Sequence, residues 1–177
     1  MVLPAVGHRP GRRCPPVSSD ASTVAAQLGR PARGWRGVAH RCPCGLPDVV
    51  ETAPRLDDGT PFPTTFYLTC PRAAAAISTL EAGGLMGVMS DRLAAAPERA
   101  AAYRRAHADF LARRHALGDV PEVAGISAGG MPGRVKCLHA LAAHALAAGP
   151  GVNPLGDEVL AVLGDWWAAG PCVDAPA

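Results

Sequence analysis

Residues 37–70, GVAHRCPCGLPDVVETAPRLDDGTPFPTTFYLTC, decide the fold. Three pieces of the stretch, 37–42 (GVAHRC), 48–54 (DVVETAP) and 64–70 (TTFYLTC), have the β-branched and aromatic content of strands. CGLPD and DDGTPFP between them are turn chemistry. Loops this short make neighbours of consecutive strands, so the reading is a small antiparallel sheet. Cys42, Cys44 and Cys70 fall at strand ends, and the ends of the first and third strands can approach the same edge.

Upstream, residues 1–19 mix proline, glycine and arginine without periodicity and read as a disordered tail, in which His8 and Cys14 have no structural part. A short helix from Ser19-Asp20 to Gly29, then a basic turn, lead into the sheet. Downstream the chain reads as helical. Pro71 opens a helix that Gly83-Gly84 ends, a second covers 85–95, and Pro97 opens the longest, PERAAAYRRAHADFLARRHAL. Tyr103, Ala106, Phe110 and Leu117 make its apolar face, with arginines opposite. A flexible, glycine-punctuated loop ending at Pro132-Gly133 runs into a central helix. There Val135, Leu138, Leu141, Ala142, Ala145 and Leu146 recur at helical spacing until Gly149-Pro150. A last helix, 156–168, turns Val159, Val162, Leu163 and Trp166 inward. The expected architecture is one α+β domain over residues 20–168, a small antiparallel three-stranded sheet covered by about five helices, with a second tail at 169–177.

The totals agree with one domain: 177 residues suffice for a single core and are short for two. Hydrophobic residues are 49% of the chain but aromatics only 5%, so helices should pack closely through alanine. A net charge of +2 makes no general case for nucleic acid. No apolar run has transmembrane length and no apolar core follows the basic N-terminus, so the expectation is a cytoplasmic protein with no membrane span. In that setting six cysteines read as metal ligands, redox thiols or buried hydrophobes rather than a disulfide framework. Lys136, Asn153 and Gln27 are each the sole residue of their type, a bias that suits a GC-rich genome and hints at local need for Lys136 and Asn153.

The chemistry concentrates in residues 125–144, GISAGGMPGRVKCLHALAAH. Early turns of a helix offer free N–H groups and the positive end of its dipole, which suit a thiolate, a metal-bound sulfur or an anion. The expected metal ligands are Cys42, Cys70 and Cys137, with Cys44, His139, His144 or His40 completing the shell of a zinc ion or an iron–sulfur cluster. Within a regular helix Cys137 and His139 would point about 200° apart, and Cys137 and His144 would lie about 10 Å apart along the axis. On that reading neither pair shares one ion easily. Cys42-Pro43-Cys44 is a C-x-C without the usual knuckle spacing, and the plain alternative is that Cys70 and Cys137 are small buried hydrophobes. A disulfide cycle, Cys70 with Cys137 or Cys42 with Cys44, uses the same atoms and ranks below metal binding. Gly129, Gly130, Arg134 and Lys136 could hold a small anionic ligand, against the alternative of a plain connector. Arg99, Arg104, Arg105, Arg113 and Arg114 could form a stripe for a protein partner. Interleaved acids weaken the case for nucleic acid, and such stripes are usually solvated faces.

Two blocks, HRCPCGLPDVVETAPRLDDGTPFPTTFYLTCP and ISAGGMPGRVKCLHALAAHALAAGPGVNPLGDE, with the spacing between them, carry a family resemblance. The chain resembles the bacterial, mainly actinobacterial, domain-of-unknown-function family numbered five hundred and one, over about Val24 to Leu163. The resemblance implies an intracellular protein whose gene, in relatives, often neighbours those of a septum-formation initiator and an exopolyphosphatase. It implies no activity and no site residues.

Two functions follow as expectations. The first is a cysteine-rich metal site near a helix N-terminus, acting on a small anionic substrate if it is catalytic. The second is a non-enzymatic adaptor in cell division, envelope growth or polyphosphate metabolism, binding through the arginine-rich helix.

Overall fold

The computed structural model describes residues 20–174, and the expected N-terminal tail, with His8 and Cys14, lies outside them. Helix α1 (Asp20–Leu28) precedes strands β1 (Trp35–Arg41), β2 (Pro47–Thr52) and β3 (Phe66–Leu68). Helices α2 (Pro71–Ala82), α3 (Leu85–Ala95), α4 (Pro97–Leu117), α5 (Leu138–Ala148) and α6 (Pro154–Leu163) follow. Among the described residues the fold is α+β, a three-stranded antiparallel sheet in the order β1-β2-β3 with six α-helices. Val38 faces Val50 across the first pair and Val49 faces Leu68 across the second. Central β2 is buried along almost its whole length, as a strand covered on both faces must be. A bidentate ion pair from Arg41 to Asp20 ties α1 to the end of β1.

Helix α5 is the axis of the packing. At 11 residues it is too short to be stable alone in water, so burial must hold it. Leu138, Leu141, Ala142, Ala143, His144 and Ala145 are all buried, and α5 packs on β3, α2 and α6. Glycine lets α6 come close: a Cβ built on Gly156 would lie 2.2 Å from the Leu141 carbonyl oxygen and 2.7 Å from Ala145 Cβ. The side of α5 turned toward α4 carries a polar relay inside the core. His144 stacks on Phe66 with centroids 5.8 Å apart and meets Phe110 edge-on at 5.3 Å. Its Nε2–H donates to Asp109 at 2.9 Å, and its Nδ1 accepts from the Asn153 amide at 3.3 Å. Asn153 Oδ1 accepts the Gly156 N–H and so caps α6. The lone asparagine thus has a local task.

Two helix boundaries differ from the expectation. The central helix begins at Leu138 rather than directly after Gly133, because the backbone before it has partners elsewhere. Lys136 N–H donates to Gly129 O at 2.7 Å, Arg134 N–H to Gly130 O at 3.1 Å, and Val135 N–H to Ser90 Oγ at 3.2 Å. The last helix runs from Pro154 to Leu163, with Val162 exposed. Trp166 and Trp167 follow it, both half-buried and edge-to-face at 4.5 Å. The glycine loop is also pinned: buried Arg114 donates to the carbonyls of Val123, at 2.5 Å, and of Ile126. Tyr103 donates to Arg134 O at 3.1 Å, and His107 bonds Ser127 Oγ at 2.8 Å.

Candidate functional site

Because α5 starts late, Cys137 is its N-cap residue with extended backbone, φ −153° and ψ 111°. A side chain on extended backbone does not follow the helical wheel, and the expected divergence of Cys137 from His139 disappears. Both approach Glu81 from the last turn of α2. One donor atom from each of Glu81, Cys137 and His139 lies within 4.8 Å of the other two, and all three residues are half-buried.

Each member is held by the backbone around it. Glu81 Oε1 accepts the Leu138 N–H at 2.6 Å, so its carboxylate takes the place at the α5 N-terminus where an anion was expected. The same oxygen lies 3.2 Å from His139 Nδ1. His139 Nε2–H donates to the Ala74 carbonyl at 3.1 Å, with Ser78 Oγ at 3.4 Å, which leaves Nδ1 on the Glu81 side. The hydrogen bond to Cys137 raises His139 to about 9; burial opposes this and the Glu81 carboxylate reinforces it. Cys137 and His139 form part of the wall of a cleft of about 590 Å³ that runs along β3 past Phe66, Tyr67 and Thr69 to Gln27. Gln27 Oε1 and Thr69 Oγ1, both more than nine-tenths buried, have no hydrogen-bond partner among the described residues.

Residues 38–161 match the family described as "Protein of unknown function (DUF501)". The chain belongs to the DUF501 family. A human uncharacterized protein, FLJ43185, is 38% identical over 74 residues, 41% of this DUF501 chain and 53% of that protein. The chain therefore spans about half the length of that curated relative, whose name states no activity. No solved structure matches.

The other predicted residues of this DUF501 chain lie in separate surroundings. Strands β1 and β3 flank β2, so Cys42 and Cys70 stand two strand spacings apart, about 9.5 Å, although they share one end of the sheet. Among the described residues Cys42, Cys70 and Cys137 make no common ligand group. Cys42 is buried beside Cys44, and burial pushes its thiol up to about 12. His40 bonds the buried Asp48 carboxylate at 2.7 Å. His144 belongs to the core relay, where burial holds it below its ordinary range although Asp109 opposes this. Gly129 and Gly130 have left-handed φ of 71° and 90°, and a Cβ on Gly130 would lie 2.6 Å from Arg134 O, so they serve the tight loop that presents Arg134 and Lys136 to solvent. Of the arginine stripe, Arg114 is buried, Arg113 pairs with Asp109, and Arg99 pairs with Glu158, which also takes Arg92. Arg104 and Arg105 remain exposed.

Glu81 was missed by sequence reasoning, although one signal was available. An acid in the last turn of a helix faces the negative end of the dipole and needs a compensating partner.

Proposed function

We propose that Glu81, Cys137 and His139 bind a single divalent metal ion, zinc by donor chemistry, as a centre opening on the cleft beside β3. The observation that carries this reading is the approach of a carboxylate, a thiol and an imidazole to within 4.8 Å, with Cys137 and His139 in the wall of a cleft. Three protein donors with a position left for solvent or substrate is the pattern of a catalytic zinc, and a single thiolate fits zinc better than an iron–sulfur cluster, which calls on several. The bond from His139 Nε2–H to a backbone carbonyl supports it, since zinc-binding imidazoles have their second nitrogen fixed in this way.

The chemistry such an ion supplies is Lewis-acid polarisation of a small anionic substrate, or activation of a water molecule against it. Exposed Arg134 and Lys136, neither side chain being engaged by another described residue, supply charge next to the centre in sequence. Gln27 and Thr69 contribute polar residues to the lining further along the cleft. Docking of a protein through α4 is the weaker reading, because three of its five arginines are already engaged.

Metal analysis of protein purified without chelating resin, followed by cobalt titration, tests the proposal. The expected result is one equivalent per chain and a thiolate-to-cobalt charge-transfer band. Cys137→Ser should lose the band, and His139→Gln should weaken uptake at least ~10-fold. Folded protein that takes up no zinc or cobalt, or variants that bind like the parent, would refute it.

A further inference from the structure

A second thiol pair stands apart from that centre. After α6 the chain turns back across the start of α2, where Arg72 Nη1 donates to Gly170 O at 2.7 Å. Two residues further on, Cys172 packs against the core and shares a hydrogen bond with Cys70, the residue that precedes α2. Gln27 Nε2 also donates to Cys172 Sγ at 3.3 Å. Two free thiols close enough to interact, 102 residues apart in sequence, lie where the segment after α6 meets the end of the sheet.

We propose that Cys70 and Cys172 form a reversible disulfide by exchange with a low-molecular-weight disulfide, fastening the C-terminal segment to the start of α2. The environment divides the roles. Cys172 is the half-buried member and receives hydrogen bonds from Cys70 and from Gln27, with the Arg72 guanidinium adding attraction. These hold its thiol below the ordinary range, although burial opposes them, which favours the thiolate as the attacking form. Its sulfur attacks one sulfur of the reagent, the reagent's S–S bond breaks, and one thiolate leaves.

Cys70 is 2% exposed and held protonated first by its bond to Cys172 and then by burial. Once Cys172 is in a mixed disulfide the first of these causes is gone, while the Arg72 and Ala73 N–H groups still favour a Cys70 thiolate. Cys70 then releases its proton to solvent and attacks Cys172 Sγ, expelling the second reagent thiolate. Two protein thiols are oxidised to one disulfide, and the reagent disulfide is reduced to two thiols.

The test incubates reduced full-length protein in buffers of graded oxidised-to-reduced glutathione ratio, quenches with iodoacetamide, and maps the linkage by fragmentation mass spectrometry. A Cys70–Cys172 cross-link is expected, reversed by dithiothreitol, absent in Cys172→Ser and in Cys70→Ser, and retained in Cys137→Ser. Without oxidant Cys172 should alkylate a few-fold faster than an ordinary thiol near neutral pH. Recovery of both residues alkylated after full exposure to oxidant would overturn the proposal, as would cross-links spread among the other cysteines. Retention in Cys137→Ser makes this test independent of the metal site.

Discussion

His144→Phe tests the reasoning about the core. The replacement keeps an aromatic ring against Phe66 and Phe110 and removes the two nitrogens, while the six-membered ring adds some bulk to a fully buried site. Asp109 keeps Arg113 and some water, its side chain being 30% exposed, but loses a charge-assisted bond worth about 1.5–3 kcal/mol. Asn153 is fully buried and is left with an unpaired amide hydrogen, at a cost of about 1–3 kcal/mol. The expected loss is about 3–5 kcal/mol, or roughly 6–20 °C in Tm for a chain of this size. Urea unfolding followed by tryptophan fluorescence measures it.

The loss should depend on pH in a defined direction. Burial holds His144 below its unfolded value of about 6.5, so on acidification the unfolded chain takes a proton that the folded chain refuses. This contribution is therefore full above that value and declines as pH falls through it, by up to about 1.4 kcal/mol per pH unit. The phenylalanine variant lacks it, so the gap between parent and variant should narrow by roughly 1 kcal/mol between about pH 7.5 and about pH 5.5. A loss under about 1 kcal/mol, or an unchanged gap, would refute the relay as described. Asn153→Ser provides a second arm, since serine still caps α6 while the bond to the buried His144 is gone, and should cost about 1–3 kcal/mol.

Gly156→Ala should lower stability by about 1–3 kcal/mol, because its Cβ would force α6 off α5, whereas Gly87→Ala, with open space inside α3, should raise it by a few tenths; urea midpoints compare the two. Arg114→Met should cost about 2–4 kcal/mol and speed amide exchange over residues 120–127, since the Val123 and Ile126 carbonyls lose their donors. Glu81→Gln can still accept the Leu138 N–H, so calorimetry should find stability within about 1 kcal/mol of the parent while zinc uptake is lost; Glu81→Ala should lose both.

The sheet was legible because its evidence is local. Val38, Val49, Val50, Phe66 and Leu68 alternate with turn residues that leave few other pairings, and observed register follows that pattern. The α5 core was legible for the same reason. Its beginning was not, because Val135 continues the apolar spacing of Leu138 and Leu141 while its N–H is taken by Ser90, 45 residues away. That non-local bond changed the site, since it put Cys137 outside the helix and on the same side as His139. Sharing one end of the sheet was likewise insufficient to bring Cys42 and Cys70 together, with β2 between their strands. Cys172 could not be placed from its neighbours, as its companions Cys70 and Gln27 come from the other half of the chain.

The bond from Glu81 to the first amide of α5 bears on how the proposed centre would behave. In small zinc domains the unloaded ligands repel one another or drift apart, and the polypeptide unravels until an ion arrives. Here the carboxylate already has a positive neighbour in the helix terminus, so the empty form keeps its shape. An ion could then be admitted and released without refolding, so loading would change the chemistry of the cleft wall and leave the packing as it was.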